Sequence, residues 1–259
     1  MLLKDRVGIV SGIGPGMGRE IALAFVREGA AVAVAARTAS AVETLAAEIR
    51  AAGGRALPVP TDIAKVEDCR RLADATLREF GRIDVLVNNA FVGGKYVPVA
   101  EADLDDWRRT FDVNVFGSLQ LSQAVIPQMQ KQKSGSIVFI NSVSLRIIEP
   151  RFGGYAASKG ALMTAMQTMA KELGTSGIRV NAVVPGYIWG PNLEGYFKTL
   201  AQQQGTTPEK VHAEIASRTA LNHIPTSAEI ADSVVFFASD LSRVVTGQAL
   251  DVNGGHYFH

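Results

Sequence analysis

The chain has 259 residues, of which 47% are hydrophobic and 20% are charged, which excludes a disordered or fibrous protein and favours one large folded domain. Its 26 lysines and arginines nearly balance 25 acidic residues, so a net charge of +1 provides no basic surface for nucleic acid or an anionic membrane, and the expected partner is a small molecule. Cys69 is the single cysteine, and cysteines and histidines do not occur at metal-ligand spacing. The sequence also shows neither an export signal nor an apolar run long enough to span a membrane. These features favour a cytoplasmic, metal-independent protein.

Seven short, mostly apolar runs rich in β-branched residues alternate with longer segments of helical period. Strands that are apolar on both faces are typical of a parallel sheet covered by helices. The sequence therefore predicts an α/β fold, a single doubly wound Rossmann-type domain over residues 1–259 with a seven-stranded parallel sheet. The predicted strands are 6–10, 31–35, 55–60, 85–88, 136–141, 179–184 and 248–252. The predicted helices are 17–28, 39–52, 66–80, 104–131, 155–173 and 228–239.

Three places interrupt this regular alternation. An acidic stretch at 101–106 is interpreted as the first turn of the helix 104–131, where carboxylates oppose the helix dipole, and not as a metal site. Pro127 is expected to kink or end the same helix. Residues 187–222 mix aromatic residues with glycine and proline and are expected to form a mobile substrate-loop insertion, after which Thr226 or its neighbour caps the last helix.

The first predicted strand runs into Ser11-Gly12-Ile13-Gly14-Pro15-Gly16-Met17-Gly18, directly before a predicted helix. Backbone amides at such a helix N-terminus, with no side chains in the way, suit a pyrophosphate. The glycine spacing differs from the commonest dinucleotide fingerprint, and no Gly-Lys-Ser/Thr follows it, which excludes a Walker-type loop. We expect Gly12, Gly16, Met17 and Gly18 to bind a dinucleotide.

The second predicted strand ends in Ala35-Ala36-Arg37-Thr38, where the adenosine ribose of a dinucleotide would lie. NAD-binding chains usually place an Asp or Glu here, but no carboxylate occurs between Glu28 and Glu43. Arg37 offers a planar, permanently charged set of donors to a 2′-phosphate, and Thr38 adds a hydroxyl. The sequence therefore favours NADP. NAD stays possible because the glycine loop supplies no second basic group.

Tyr155 and Lys159 stand four residues apart, on one face at the start of a predicted helix. A nearby ammonium group and a helix N-terminus both favour the phenolate, so we expect the pKa of Tyr155 to fall toward neutrality and make the phenol a usable acid and base. Ser142 follows the predicted strand 136–141, so its hydroxyl should converge with the phenol at the carboxyl edge of the sheet.

With these motifs in this order, the chain resembles the short-chain dehydrogenase/reductase family over essentially its whole length. The glycine loop matches the family's Thr-Gly-x-x-x-Gly-Ile-Gly, with Ser11 in place of Thr keeping the hydroxyl. The other matching segments are Asp62-Ile63, Asn88-Asn89-Ala90 and Pro185-Gly186. The resemblance implies a catalytic tetrad of Asn114, Ser142, Tyr155 and Lys159. It implies further cofactor contacts from Tyr155 and Lys159 and from Asp62, Ile63, Asn89, Ala90, Pro185, Gly186 and Ile188.

The same resemblance implies interconversion of a ketone and a secondary alcohol by hydride transfer. In that chemistry Tyr155 exchanges a proton with the substrate oxygen, and Ser142 orients that oxygen. Lys159 would hold the nicotinamide ribose and lower the pKa of the phenol, while Asn114 would support a water path to Lys159.

Two positions depart from the family pattern. Phe91 replaces the glycine of Asn-Asn-Ala-Gly, which should tighten the turn beside the nicotinamide. Gly190 stands where many members have a threonine that binds the carboxamide, so the backbone of Ile188 is expected to take over that contact or the contact is absent.

Several alternatives remain open. The same chemistry could use NAD(H) in a catabolic alcohol dehydrogenase, or the fold could serve as a non-catalytic nucleotide-binding sensor. A dehydratase or epimerase would usually need a longer chain. A hydrolase or metalloenzyme is disfavoured because neither a Gly-x-Ser-x-Gly elbow nor histidines at metal spacing occur.

The substrate is expected to be a mainly apolar, cyclic or aromatic ketone or secondary alcohol, because hydrophobic residues follow Ser142 and aromatic residues fill the insertion. Arg146 and Arg151 are expected to be solvated rather than to bind a carboxylate. The helix 155–173 is apolar nearly all round, which, together with the family resemblance, predicts a homotetramer.

Overall fold

A computed structural model describes residues 1–258. The strands are β1 Val7–Ser11, β2 Ala31–Ala36, β3 Ala56–Pro60, β4 Val85–Asn88, β5 Gly135–Ile140, β6 Ile178–Pro185 and β7 Ala249–Val252. They form one sheet in the order β3-β2-β1-β4-β5-β6-β7, and every neighbouring pair is parallel. The predicted seven-stranded parallel sheet is confirmed, because long apolar runs can be buried only where helices cover both faces.

The helices are α1 Met17–Arg27, α2 Ala39–Ala51, α3 Val66–Phe80, α4 Leu104–Phe111, α5 Ser118–Gln132, α6 Gly153–Leu173, α7 Pro191–Gln204, α8 Pro208–Ser217 and α9 Ser227–Ala238. Helices α1, α2 and α9 pack on one face of the sheet around Phe25 and Phe237. Helices α3, α5 and α6 pack on the other face around Leu121 and Leu162. The strand order reverses between β1 and β4, and a crevice opens at the carboxyl ends of strands at such a point.

The helix predicted at 104–131 forms as a continuous helical segment, but it contains an internal π-helical turn that the sequence did not predict. Helix α4 ends at Phe111, and a π-helical turn at Asp112–Gly117 separates it from α5. Helix α5 continues through Pro127, because Leu121, Val125 and Met129 anchor it in the core on both sides of the proline. The acidic stretch behaves as predicted: the Asp103 side chain accepts from the amide of Asp105 and caps α4.

The segment 187–222 contains two helices, α7 and α8, that the sequence analysis did not predict. They enclose a small core of their own around Phe197 and Val211. The amide of Trp189 donates to the carbonyl of Pro225 at 2.8 Å and ties the start of the segment to the entry of α9. Thr226 caps α9 as predicted, and its hydroxyl accepts from the Glu229 amide in a capping box.

Candidate active site

The polar residues of the predicted site follow four strands that end at the same edge of the sheet. Gly12 follows β1, Asn88 ends β4, Ser142 lies two residues after β5, and Gly186 follows β6. Two cavities open there. One of about 580 Å³ extends from the glycine loop to the start of α7, and one of about 230 Å³ lies beside the ends of β2 and β3.

The glycine loop packs so closely that its glycines cannot be replaced freely. A Cβ on Gly12 would lie 2.5 Å from the backbone of Ala90, and one on Gly18 would overlap the carbonyl oxygen of Gly12. The side-chain amide of Asn89 donates to that same oxygen at 2.8 Å. Gly16 precedes α1 and has no side chain that could cap the helix. The first backbone amides of α1 therefore face the larger cavity without a hydrogen bond to a capping side chain. These residues fit a pyrophosphate.

The smaller cavity brings together the residues predicted to hold the adenosine end of a dinucleotide. Its wall includes Arg37, Thr38, Asp62, Ile63 and Ala90. Among residues 1–258, Arg37 makes no ion pair or hydrogen bond within the protein and is exposed. Its guanidinium group is therefore available to a ligand bound in this cavity.

Tyr155 lies in the first turn of α6, and its phenol lies beside the hydroxyl of Ser142. The phenol ring stacks on Phe152 with 4.6 Å between ring centroids, and Phe91 meets it edge-on at 6.1 Å. Burial raises the pKa of Tyr155 to about 12, while the nearby Ser142 hydroxyl opposes the rise. The predicted fall toward neutrality is therefore wrong for the ligand-free protein, because desolvation outweighs the groups that favour the phenolate.

Lys159 lies beneath this ring and is almost completely buried. Its Nζ donates to the carbonyl of Ile140 at 2.8 Å and lies 5.5 Å from the centroid of the Tyr155 ring. Burial lowers the pKa of Lys159 to about 7. Burial thus weakens the ammonium charge that was expected to lower the pKa of the phenol, which is a second reason why the phenol stays protonated.

Ser142 is held by its neighbours on both sides. Its amide donates to the Asn141 side chain at 3.0 Å, and its hydroxyl accepts from the amide of Ser144 at 3.2 Å. The turn that follows is fixed to β7 by an ion pair between Arg146 and Asp251 at 2.8 Å. Because Arg146 is mostly buried in that pair, the expectation that it is solvated is wrong, and it holds the loop that carries Ser142.

Asn114 sits in the π-helical turn and is buried. Its side-chain oxygen accepts from the amide of Val92, and its side-chain amide donates to the carbonyl of Val92 and to the hydroxyl of Ser158. Ser158 in turn donates to the backbone carbonyl of Tyr155 at 2.7 Å. Asn114 therefore holds the backbone of Val92 on one side and, through Ser158, the backbone of Tyr155 on the other. The water path from Asn114 to Lys159 stays a prediction.

The larger cavity is lined by residues that follow β6, including the predicted Gly186 and Ile188, whereas Pro185 is the buried last residue of that strand. Phe91 and Phe152 form part of the wall and pack directly on Tyr155. Sequence reasoning missed Phe152. Its spacing of three residues before Tyr155, which brings side chains together at the start of a helix, is the signal that could have identified it.

In the part of the chain that the structure describes, no group of histidine, cysteine and acidic side chains could hold a metal ion. Within the same residues, none of the helices has the length and apolar character needed to cross a membrane.

Comparison with known proteins places these features in context. Residues 12–257 match the family model described as enoyl-(acyl carrier protein) reductase. The 3-oxoacyl-(acyl-carrier-protein) reductase of Thermotoga maritima is 33% identical, with 98% of this chain and 99% of that protein covered. The 7alpha-hydroxysteroid dehydrogenase of Escherichia coli is 34% identical, with 98% and 94% covered. The crystal structure of NAD+-bound xylitol dehydrogenase has a TM-score of 0.91 at 31% identity, covering 98% of this chain and 100% of that one.

Proposed function

The chain belongs to the short-chain dehydrogenase/reductase family, and on that premise we propose that it interconverts a ketone and a secondary alcohol with NADP(H) as its preferred cofactor. It is an oxidoreductase acting on CH–OH groups, and its cofactor is a nicotinamide dinucleotide. The observation that carries the finer proposal is the position of the Ser142 hydroxyl beside the Tyr155 phenol, whose ring packs on Phe91 and Phe152 in the wall of the larger cavity.

When bound, the nicotinamide dinucleotide supplies or accepts the hydride. Tyr155 transfers its phenolic proton to the carbonyl oxygen during reduction and takes a proton from the hydroxyl during oxidation. Ser142 holds the substrate oxygen beside the phenol by a hydrogen bond. With its pKa raised to about 12, Tyr155 keeps its proton at neutral pH, which is the form that ketone reduction uses.

Lys159 and Asn114 support this pair in different ways. The Lys159 ammonium group can donate two hydrogen bonds beyond the one that reaches Ile140, and these are the donors that we assign to the nicotinamide ribose. Asn114 acts as a positioning residue through Val92 and Ser158.

The preference for NADP rests on Arg37 and Thr38. Both are exposed at the smaller cavity, Arg37 has no carboxylate partner among the described residues, and no acidic side chain follows β2 to accept ribose hydroxyls. NAD(H) is the second candidate, because the xylitol dehydrogenase neighbour is described as NAD+-bound.

A homotetramer is the assembly we propose. On α6, Ala157 and Thr164 are exposed and Ala161 and Ala165 are only partly covered, which leaves a flat strip of small residues. Phe116, 51% exposed, adds an apolar side chain beside it in the π-helical turn. A second helix pair would cover these surfaces. The single-domain organisation and the cytoplasmic location stay predictions.

A screen of ketones and secondary alcohols with each reduced and oxidised cofactor, followed by absorbance at 340 nm, tests the proposal. We expect turnover of at least one ketone, with a higher kcat/KM for NADPH than for NADH. Protein that binds the cofactor tightly yet turns over no member of a broad panel would support the sensor alternative.

A further inference from the structure

The wall of the larger cavity carries no charged side chain among residues 1–258. Apart from the glycine loop, it is formed mainly by apolar and aromatic groups. The aromatic members are Phe91, Phe152, Tyr187, Trp189 and Tyr196. A carboxylate on a substrate held against the aromatic part of this wall, away from the amides at the start of α1, would therefore lose its water without gaining a cationic partner, which is costly in free energy.

Three arginines of the segments around this cavity are paired elsewhere or lie outside its wall. Arg146 is paired with Asp251 at 2.8 Å, and Arg218 is paired with Glu214 at 2.6 Å. Arg151 stands over the ring of Tyr96, 5.4 Å from its centroid, and does not contribute to the wall. None of the three is placed to accept an anion beside the phenol.

The aromatic side chains are themselves held in place. Phe152 stacks on Tyr155, and Phe91 contacts the same ring from its edge. On the segment after β6, Trp189 packs against Phe197, which is fully buried in the small core of α7 and α8. Rings fixed in this way present apolar faces and edges that complement a flat or cyclic group better than a flexible chain.

Phe91 is the member of this set that bears most directly on selectivity. It lines both cavities, and its side chain is 58% exposed although it is large and apolar. Its ring centroid lies 5.9 Å from the Nζ of Lys159 and 6.1 Å from the Tyr155 ring. A substrate oxygen that reaches the phenol therefore brings its neighbouring carbons against Phe91.

We propose that this site takes an uncharged ketone or secondary alcohol carried on an alicyclic or aromatic ring, and that Phe91 is a specificity-determining residue for the ring. The inference rests on the proposed function. Burial of the ring against Phe91, Phe152 and Tyr196 supplies the binding free energy, and the uncharged wall rejects anionic analogues.

A matched pair of compounds tests the charge preference. Methyl 4-oxocyclohexanecarboxylate and the free 4-oxocyclohexanecarboxylate share the ring and the reacting group and differ in charge and in one methyl group. With NADPH we expect kcat/KM for the ester to exceed that for the acid by at least about a hundredfold. Equal values, or a preference for the acid, would overturn the inference.

A matched pair of variants tests the role of Phe91. Phe91→Leu should lower kcat/KM for cyclohexanone about tenfold relative to open-chain 2-hexanone. Phe80→Leu, an aromatic substitution at the end of α3 on the opposite edge of the sheet, should leave that ratio unchanged. An unchanged ratio in Phe91→Leu would remove Phe91 from the account of specificity.

Equilibrium dialysis of the NADP+-loaded protein separates this inference from the proposed function. If neither compound is turned over but the ester binds and the acid does not, the substrate inference stands while the proposed function fails. If neither compound binds, or both bind equally, the substrate inference fails.

Discussion

Replacing Lys159 with methionine removes a buried amine whose titration makes the ligand-free protein more stable as pH rises. Burial lowers the pKa of this amine from 10.5 to about 7 in the folded protein. Between these two values the unfolded chain binds a proton that the folded chain does not, so the free energy of unfolding increases with pH. From pH 7 to pH 9 the increase is about 2 kcal/mol, because each pH unit contributes about 1.4 kcal/mol and the folded amine is still half protonated at pH 7.

Urea unfolding of the wild type and Lys159→Met at one protein concentration, at pH 7 and at pH 9, measures this contribution. The stability difference between the two proteins should shift by about 2 kcal/mol in favour of the wild type at pH 9, since titrations common to both cancel. Tyr155→Phe is the matched control. Its phenol is protonated in both states through pH 9, so its difference from the wild type should stay constant. A constant Lys159→Met difference would show that the folded lysine is charged and refute the reasoning.

Three further outcomes are expected. Ala36→Asp combined with Arg37→Leu should move the ratio of kcat/KM values from NADPH toward NADH by at least about tenfold, because the new carboxylate repels a phosphate and accepts ribose hydroxyls. Equal binding of NAD and NADP by the unmodified protein would show that Arg37 does not select the 2′-phosphate. Arg146→Met should lower the free energy of unfolding by about 2 kcal/mol and reduce kcat more than it raises KM, because the loop that carries Ser142 loses its ion pair with Asp251. Unchanged kcat and unchanged stability would show that this ion pair does not hold the loop in place. Light scattering at micromolar concentration should give a mass near four times 27.6 kDa, and a mass of one chain would rule out the tetramer.

The parallel sheet could be predicted because each buried strand shows a continuous apolar run, and every observed strand end lies within one residue of its prediction. The π-helical turn at Asp112–Gly117 could not, since it disturbs the helical period too little to be seen in the sequence. Helices α7 and α8 were missed although Pro191 and Pro208 stand in their first turns, a position that proline favours. The aromatic residues and glycines of the segment 187–222 are typical of a loop, and they were given more weight than the helix-start signal of these two prolines.

At the candidate site, residue types and spacing placed Tyr155 and Ser142 together correctly, but they did not give the pKa of the phenol. That pKa depends on burial, which Phe152 and Phe91 create by packing on the ring, and neither contact is encoded in the Tyr-x-x-x-Lys spacing. The sequence alone also left open whether Pro127 kinks or ends its helix, and the structure shows that the helix does not end there. Packing of Leu121, Val125 and Met129 in the core overrides the local cost of Pro127.

Single-turnover hydride transfer by Tyr155→Phe tests the acid and base role most directly. The substitution removes the phenolic oxygen beside Ser142, while the ring that stacks on Phe152 remains. Wild type and variant, each saturated with NADPH, are mixed with the best ketone of the screen and followed at 340 nm. An acid and base role of Tyr155 predicts that the variant binds NADPH with unchanged affinity and transfers hydride at least about a hundredfold more slowly. Hydride transfer at the wild-type rate would contradict it.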